Sequence, residues 1–218
     1  MFFQDLTQTF KAAAQPDKAQ WMQAYMRDQF PFLGIPKPER SELLKQVLAR
    51  HQTALPWYET AQTLFDMPER EYQYAAMEFL YLQRANWDER LPQLVEAWTK
   101  AQAWWDITDV LAPKILGHYF KQHPQERDPW TQRWMQSEHF WLQRLCVIYQ
   151  LNYKEKTDLA FLSKTILALL GSKEFFINKA IGWALRQHAR VNPEWVKAFV
   201  LQHPLAALSK REALKHLS

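Results

Sequence analysis

Apolar residues recur at helical spacing along almost the whole chain, and no segment keeps the alternation of a half-buried strand. Only 4 of the 218 residues are glycine, so long stretches lack the residue that tight turns most readily use. Most of the 12 prolines lie between the apolar-periodic segments. Proline ends helices, and the following prolines are therefore interpreted as boundaries: Pro36, Pro38, Pro56, Pro124, Pro129, Pro193 and Pro204. The pattern predicts an all-α fold.

The periodicity places a succession of helices, joined by short loops, over nearly the full length. The predicted helices cover residues 2–14, 17–30, 38–53, 57–66, 69–84, 88–100, 104–120, 126–135, 138–150, 156–170, 174–190 and 193–202. Residues 209–218 can add one or two further turns. No linker or low-complexity segment interrupts the chain, so a single domain over residues 1–218 is expected.

A weak repeat links four of the predicted helices. In each, an aromatic residue lies three or four positions before a fixed position, and these positions are Ala75, Asp109, Arg144 and Lys179, spaced 34, 35 and 35 residues apart. Solenoids built from helix pairs repeat at about this period, HEAT units being slightly longer, and stacking brings equivalent positions to one surface. The spacing predicts that Asp109, Arg144 and Lys179 form a row on a concave face. Helix packing does not need charges there, which suggests a polar ligand.

Composition excludes several functional classes. The net charge of +4 is compatible with nucleic-acid binding without requiring it. The single cysteine, Cys146, excludes an internal disulfide and a multi-cysteine metal site, and His118 and His123 are poorly spaced for a helical metal site. There is no secretory signal or membrane-spanning apolar run, and no phosphate loop or Ser-His-Asp pattern. We expect a cytoplasmic monomer without metal or other cofactor.

Trp105 and Asp109 carry the first chemical signal. On one helix they are four residues apart and share a face. An indole ring and a carboxylate both attract a cation, and the carboxylate does so more strongly as water is excluded. The pair therefore predicts a cation site. The alternative is that Asp109 is a surface residue or an ion-pair partner of Arg144, with Trp105 in the core.

Two later helices carry related features. Arg144 lies among apolar residues, where an arginine pairs with an acid or reaches a phosphate. Trp183 follows Lys179 by four residues and repeats the aromatic–charge geometry. Gly182, within the same predicted helix, lowers helix stability by about 1 kcal/mol relative to alanine. It therefore marks a close approach, either of a ligand or of a neighbouring helix.

These segments, taken together, resemble the AlkD family of alkylpurine DNA glycosylases, a family of DNA alkylation repair with HEAT-like repeats. The similarity runs from about residue 5 to about residue 205, and its motifs occur in the family's order. They are Ala24-Tyr25-Met26-Arg27, Phe32-Leu33-Gly34-Ile35, Pro38-Glu39-Arg40, Trp104-Trp105-Asp106-Ile107-Thr108-Asp109, Trp141-Leu142-Gln143-Arg144 and Phe176-Ile177-Asn178-Lys179-Ala180-Ile181-Gly182-Trp183-Ala184-Leu185-Arg186.

The resemblance implies a HEAT-like solenoid whose concave face holds duplex DNA. It implies that Asp109 is the catalytic aspartate, that Trp105 and Trp183 are the active-site tryptophans, that Arg144 lies near the lesion-bearing strand and that Tyr25 contacts DNA. We expect Lys179 to bind phosphate alongside Arg144.

Further basic residues, Arg186 among them, are expected to add affinity for the DNA backbone. The implied activity is monofunctional hydrolysis, within base excision repair, of the N-glycosidic bond of cationic alkylated purines in double-stranded DNA. The candidate lesions are 7-methylguanine, 3-methyladenine and bulkier N7 or N3 adducts, excised without base flipping.

Two other functions remain open from the residues alone. One is a non-catalytic HEAT-type scaffold for a protein partner, since helical-repeat folds host many functions. The other is a protein that binds damaged DNA without cutting the glycosidic bond. A scaffold does not need the combination of Trp105, Asp109, Arg144 and Trp183, and a non-cutting relative is expected to have lost the aspartate or a tryptophan.

Overall fold

The computed structural model describes residues 1–51 and 55–217. Regular structure in these residues is entirely helical, without any strand, and the prediction of an all-α protein is confirmed. No helix in the same residues combines the length and the apolar character needed to cross a bilayer. The chain divides into two compact units, Met1–Asp88 and Glu89–Ser218. The expectation of a single domain stays a prediction.

In its described residues, 1–51 and 55–88, the first unit contains five α-helices and a 3₁₀ turn at Arg84–Asn86. The α-helices are α1 (Phe2–Ala12), α2 (Pro16–Tyr25), α3 (Lys37–Arg50), α4 (Trp57–Phe65) and α5 (Arg70–Leu82). Helix α5 packs against α3 and α4, and α1 packs against α3. Helix α1 buries Phe2, Leu6 and Phe10, which are four residues apart and so lie on one face.

The segment between α2 and α3 is held by the buried carboxylate of Glu71. This side chain accepts hydrogen bonds from the backbone N–H groups of Leu33 (3.0 Å), Gly34 (2.8 Å) and Ile35 (3.1 Å). A buried charge is tolerated when hydrogen bonds satisfy it. Gly34 has φ +85°, and a Cβ at this position would lie 2.1 Å from the carbonyl oxygen of Gln15. The turn therefore requires glycine for its backbone conformation and for space.

Replacing Gly34 with alanine is expected to lower the free energy of unfolding of the first unit by at least about 3 kcal/mol, because left-handed strain adds to a clash with rigid backbone. Urea denaturation measures the loss. Gly171→Ala is the matched control, since Gly171 has φ +83° but no atom within 4 Å of the added Cβ, and it is expected to cost only about 1–2 kcal/mol. Equal losses in the two variants would contradict the steric argument.

The second unit contains helix pairs whose second members are neighbours. Its helices are α6 (Leu91–Gln102), α7 (Trp105–Val110), α8 (Gly117–Gln122), α9 (Pro124–Gln136), α10 (Phe140–Ile148), α11 (Leu159–Ala168), α12 (Phe175–His188), α13 (Pro193–Gln202) and α14 (Ala207–Ala213). Helix α10 packs against α7 and α12, and α12 packs against α14. The repeat positions Asp109, Arg144 and Lys179 fall on α7, α10 and α12. The helical-repeat prediction is confirmed.

The predicted helix 104–120 is not a uniform α-helix. After α7 the chain forms a π-helical turn, Leu111–Leu116, and continues as α8. Pro113 has no N–H for the carbonyl of Asp109 four residues earlier, and its ring crowds that carbonyl. The helix widens so that Gly117 N–H bonds to the carbonyl of Ala112, five residues back. Asp109 therefore lies where the helix leaves the α register.

Other boundaries also differ from the predictions. The predicted helix 17–30 ends at Tyr25, because Arg27 and Asp28 both adopt φ 56°, a conformation that ends a right-handed helix. The interpretation of Pro129 as a boundary is wrong, since it lies inside α9. The turns predicted within 209–218 form α14, and the predicted helix 156–170 spans only α11 after a 3₁₀ turn at Lys154–Lys156. The end of the predicted helix 38–53 falls on residues outside those described.

His188, near the end of α12, is a buried titratable group. It is 6% exposed, and neither ring nitrogen has a hydrogen-bond partner among the described residues. Its ring stands edge-on to Trp195, with 5.5 Å between centroids. Burial lowers the pKa of His188, since desolvation disfavours the charged imidazolium. Folding therefore favours the neutral form of this side chain.

A depressed pKa in the folded state means that the unfolded chain binds the proton more readily. The stability associated with neutral His188 is thus present above the ordinary histidine pKa of about 6.5 and is lost as the pH falls below it. His188→Phe is expected to lose less stability than the wild type between pH 7 and pH 5, by on the order of 1 kcal/mol. Urea denaturation across this range measures the difference. The exposed His216→Phe is the control, and parallel curves for wild type and His188→Phe would refute the prediction.

Candidate functional site

Asp109 and Arg144 form the centre of the candidate site. The guanidinium of Arg144 donates to Oδ1 of Asp109 from Nε (3.0 Å) and from Nη2 (2.6 Å), and its Nη1 donates to the carbonyl oxygen of Phe176 (2.6 Å). The side chain of Arg144 is 3% exposed and that of Asp109 is 22% exposed. The alternative in which Asp109 is the ion-pair partner of Arg144 is therefore what the structure shows.

An aromatic cluster lies where three helices of the second unit begin. Trp104 precedes α7, Trp141 lies in the first turn of α10, and Phe176 lies in the first turn of α12. The three rings contact one another, with centroids 5.8 Å, 5.4 Å and 4.7 Å apart. Because the same cluster holds the residue whose carbonyl accepts from Arg144, it fixes the start of α12 relative to α10.

The electrostatic state of Asp109 is a balance of opposing effects. Burial raises the pKa of this carboxyl, and the charge and hydrogen bonds of Arg144 oppose the rise. The neighbouring carboxylate of Asp106 raises the pKa of Asp109 further, and the net direction is upward. Asp109 is thus more basic than an ordinary surface aspartate and is better suited to accept a proton or to stabilise a cation.

The two oxygens of Asp109 are not equivalent. Both bonds from Arg144 end on Oδ1, as does the contact from the Thr108 hydroxyl at 3.5 Å. Within the described part of the chain, no hydrogen bond to Oδ2 accompanies them. Arg144 therefore orients the carboxylate through one oxygen and leaves the other for a ligand or a water molecule.

The two predicted tryptophans lie on separate helices of the second unit. Trp105 begins α7, one turn before Asp109, and Trp183 lies on α12, two turns after Phe176. Both indoles are half-buried, so each keeps part of its surface open to a ligand. The structure thus joins Asp109 directly to Arg144 and places Trp105 on the same helix. It shows no ring contact between Trp105 and Trp183 among the described residues.

The basic residues predicted to bind DNA have protein partners. Lys179 and Arg186, both on α12, form ion pairs with Glu212 of α14. Arg144 donates hydrogen bonds to the carboxylate of Asp109 and to the carbonyl oxygen of Phe176. Tyr25 belongs to the first unit, is 59% exposed and stacks on the exposed Trp21 at 5.6 Å between centroids. The DNA-binding roles of these residues stay predictions.

Three features of the site are absent from the sequence-based prediction. They are the carbonyl of Phe176, the ring of Trp104 and the carboxylate of Glu212. The first two accompany the recurring aromatic positions and could have been found from the repeat. Glu212 gives no local signal, because its partners lie 26 and 33 residues away. Within residues 1–51 and 55–217, no three His, Cys, Asp or Glu side chains come together as a possible metal site.

Comparisons with known proteins place the chain in a family. A family model described as DNA alkylation repair enzyme matches residues 6–217. A solved structure described as a predicted DNA alkylation repair enzyme from Enterococcus faecalis is 35% identical, with a TM-score of 0.87, over 94% of this chain and 97% of that one. No curated protein matches the chain. With a family model spanning nearly its whole length, the chain belongs to the family of DNA alkylation repair enzymes.

Proposed function

We propose that the protein is a monofunctional DNA glycosylase that hydrolyses the N-glycosidic bond of cationic alkylated purines in double-stranded DNA. The observation that carries the proposal is the half-buried carboxylate of Asp109, oriented by Arg144 through Oδ1 alone. A role in the repair of alkylated DNA follows from the family. The glycosylase chemistry is our inference from the site, where Arg144 binds Oδ1 and no hydrogen bond from the described residues accompanies it at Oδ2.

The chemistry of the proposed substrate does not require a general acid in the site. A purine alkylated at N7 or N3 already carries a positive charge, so the leaving base needs no proton. As the C1′–N bond breaks, its electron pair stays on the base and neutralises it. Positive charge then develops on the deoxyribose, as in other reactions with oxocarbenium-like transition states. The enzyme must stabilise this charge and deliver a water molecule.

Asp109 is suited to both tasks. Oδ2 can lie against the developing sugar cation, where a carboxylate in a partly desolvated site stabilises positive charge strongly. The same carboxylate can accept the proton of the water that attacks C1′, since its raised pKa makes it a better base than an ordinary aspartate. The products are the free base and an abasic deoxyribose that carries the oxygen of the water.

Trp105 and Trp183 are proposed to pack on the deoxyribose and to offer their π faces to the cation. A contact of this kind grips the sugar and the backbone and leaves the base in its stack. We therefore propose excision without base flipping, unlike glycosylases that turn the base into a pocket. This mode suits 7-methylguanine, 3-methyladenine and bulkier N7 or N3 adducts, because the size of the base is not limited by an enclosing pocket.

The direct test is release of free base from a duplex that carries 7-methylguanine. The wild type is expected to release the base above the rate of spontaneous loss, and Asp109→Asn is expected to be slower by on the order of 100-fold or more, because the amide neither carries the negative charge nor accepts the proton. Single-turnover release, quantified by chromatography with DNA alone as background, measures both rates.

Asp66→Asn, the same change at an exposed aspartate that caps α4, is the matched control and is expected to match the wild type. Thermal melting checks that Asp109→Asn remains folded. Full activity of Asp109→Asn would overturn its role. Absence of release by the wild type would overturn the glycosylase, and binding to intact duplex would then show whether the protein only binds DNA.

Arg144 gives a second, independent test through pH. Its charge and hydrogen bonds hold the pKa of Asp109 down against burial, so removing them raises that pKa further. Activity requires the carboxylate and is lost as the pH falls through the Asp109 pKa. In Arg144→Met the acidic limb of the rate profile is therefore expected to move to higher pH, with a larger loss at about pH 6 than at about pH 8.

The profile is measured as single-turnover base release in overlapping buffers. Arg144→Lys keeps a positive charge, so its acidic limb is expected to move to higher pH by less than that of Arg144→Met. A merely structural role for Arg144 predicts a loss by the same factor at every pH, and that outcome would contradict the argument.

A further inference from the structure

Glu212 of α14 joins two cations of α12. Its Oε1 lies 2.8 Å from Nζ of Lys179, and its Oε2 is hydrogen-bonded to Nη1 of Arg186. One cation therefore occupies each oxygen of a single carboxylate. Lys179 and Arg186 are two helical turns apart, which leaves both side chains on neighbouring parts of one helix face.

Close packing sets the position of this carboxylate. A Cβ added at Gly182 would lie 2.5 Å from Cβ of Glu212 and 3.0 Å from the carbonyl oxygen of Ser209. The hydroxyl of Ser209 donates to the carbonyl oxygen of Asn178 at 2.8 Å. The interpretation of Gly182 as a close approach of a neighbouring helix is confirmed, and the contact fixes Glu212 between its two partners.

Exposure differs between the anion and the cations. The side chain of Glu212 is 11% exposed, whereas that of Arg186 is 22% exposed and that of Lys179 is 40% exposed. Ion pairs with an exposed partner contribute little net stability, because solvent screens them. Both cations keep exposed surface that can meet a second anion while Glu212 keeps its place beside them.

A phosphodiester presents the same arrangement as this carboxylate. Two negatively charged oxygens share one central atom, and each can accept from a different cation. We propose that Lys179 and Arg186 form a two-point site for one phosphodiester of DNA, and that Glu212 occupies this site in the free protein as a built-in phosphate mimic. The inference rests on the proposed function, in which Trp183 brings α12 to the DNA.

The mimic changes how strongly DNA binds. Each phosphate contact by a cation adds to the salt dependence of binding, with a slope of about −0.9 per contact. A carboxylate that keeps its place beside Lys179 and Arg186 offsets part of their charge. The site therefore contributes less to the salt dependence of DNA binding than two uncompensated cations would. Affinity for any duplex is lowered, and release of product DNA is favoured.

The test is binding of an undamaged, fluorescein-labelled duplex, measured by anisotropy from about 50 mM to about 200 mM salt. Glu212→Gln keeps the shape of the side chain and removes its charge. It is expected to bind roughly threefold to tenfold more tightly at the lower salt, with a salt slope steeper by about one. Glu212→Met, which keeps an unbranched side chain beside Gly182, is a second variant with the same expected direction.

Glu194→Gln is the matched control, since it removes the same charge from an exposed residue that pairs with Lys197. It is expected to bind like the wild type. In a Lys179→Met/Arg186→Met background, Glu212→Gln is expected to have no effect. Unchanged or weaker binding by Glu212→Gln, or a gain that survives in that background, would overturn the proposal.

Base release from damaged duplex is measured separately and decides the glycosylase. Tighter binding by Glu212→Gln without any base release would leave the phosphate site standing and the glycosylase refuted. Base release without the change in binding would support the glycosylase and refute the phosphate site.

Discussion

The charge of a buried arginine must be compensated by ion pairs or hydrogen bonds, and the partners of Arg144 lie on two neighbouring helices. It binds Asp109 of α7 and the carbonyl of Phe176 at the start of α12, while its own helix lies between them in the packing order. Removing one partner of a buried ion pair costs about 3–5 kcal/mol, because the other charge is left uncompensated. Arg144 therefore holds α7, α10 and α12 in register together with the aromatic cluster of Trp104, Trp141 and Phe176, and it orients the carboxylate of Asp109.

The helical repeat explains why this contact could be anticipated and why other parts of the site could not. Asp109 and Arg144 are 35 residues apart, one repeat, so stacking of equivalent positions predicts that they meet. The ring contact between Trp141 and Phe176, which are also 35 residues apart, follows from the same period. Glu212 lies on α14, outside the recognised repeat positions, and the packing of α14 against α12, closest at Gly182, brings it to Lys179.

Local chemistry accounts for the remaining differences. Periodicity of apolar residues cannot distinguish an α-helix from one that widens for a turn, and the cause, Pro113, lies inside an otherwise regular pattern. Likewise, periodicity alone does not show that Arg27 and Asp28 end α2 with positive φ. In the first unit, Glu71 would be interpreted from sequence as a surface residue, yet it is fully buried because three backbone N–H groups satisfy it.

Two ion clusters of the second unit, Asp109 with Arg144 and Glu212 with Lys179 and Arg186, compensate their charges in complementary ways. The charges of Asp109 and Arg144 sum to zero, so the pair attracts a distant cation only weakly. At contact distance, Oδ2 still attracts a cation as a local negative charge. Glu212 offsets part of the charge of Lys179 and Arg186, so a distant phosphate is likewise attracted less than two free cations would attract it. Electrostatic attraction that is weak at long range and strong at contact distance favours a ligand that presents a cation and phosphates in the correct geometry. A cationic base within a DNA backbone is such a ligand, and undamaged DNA offers only the phosphates.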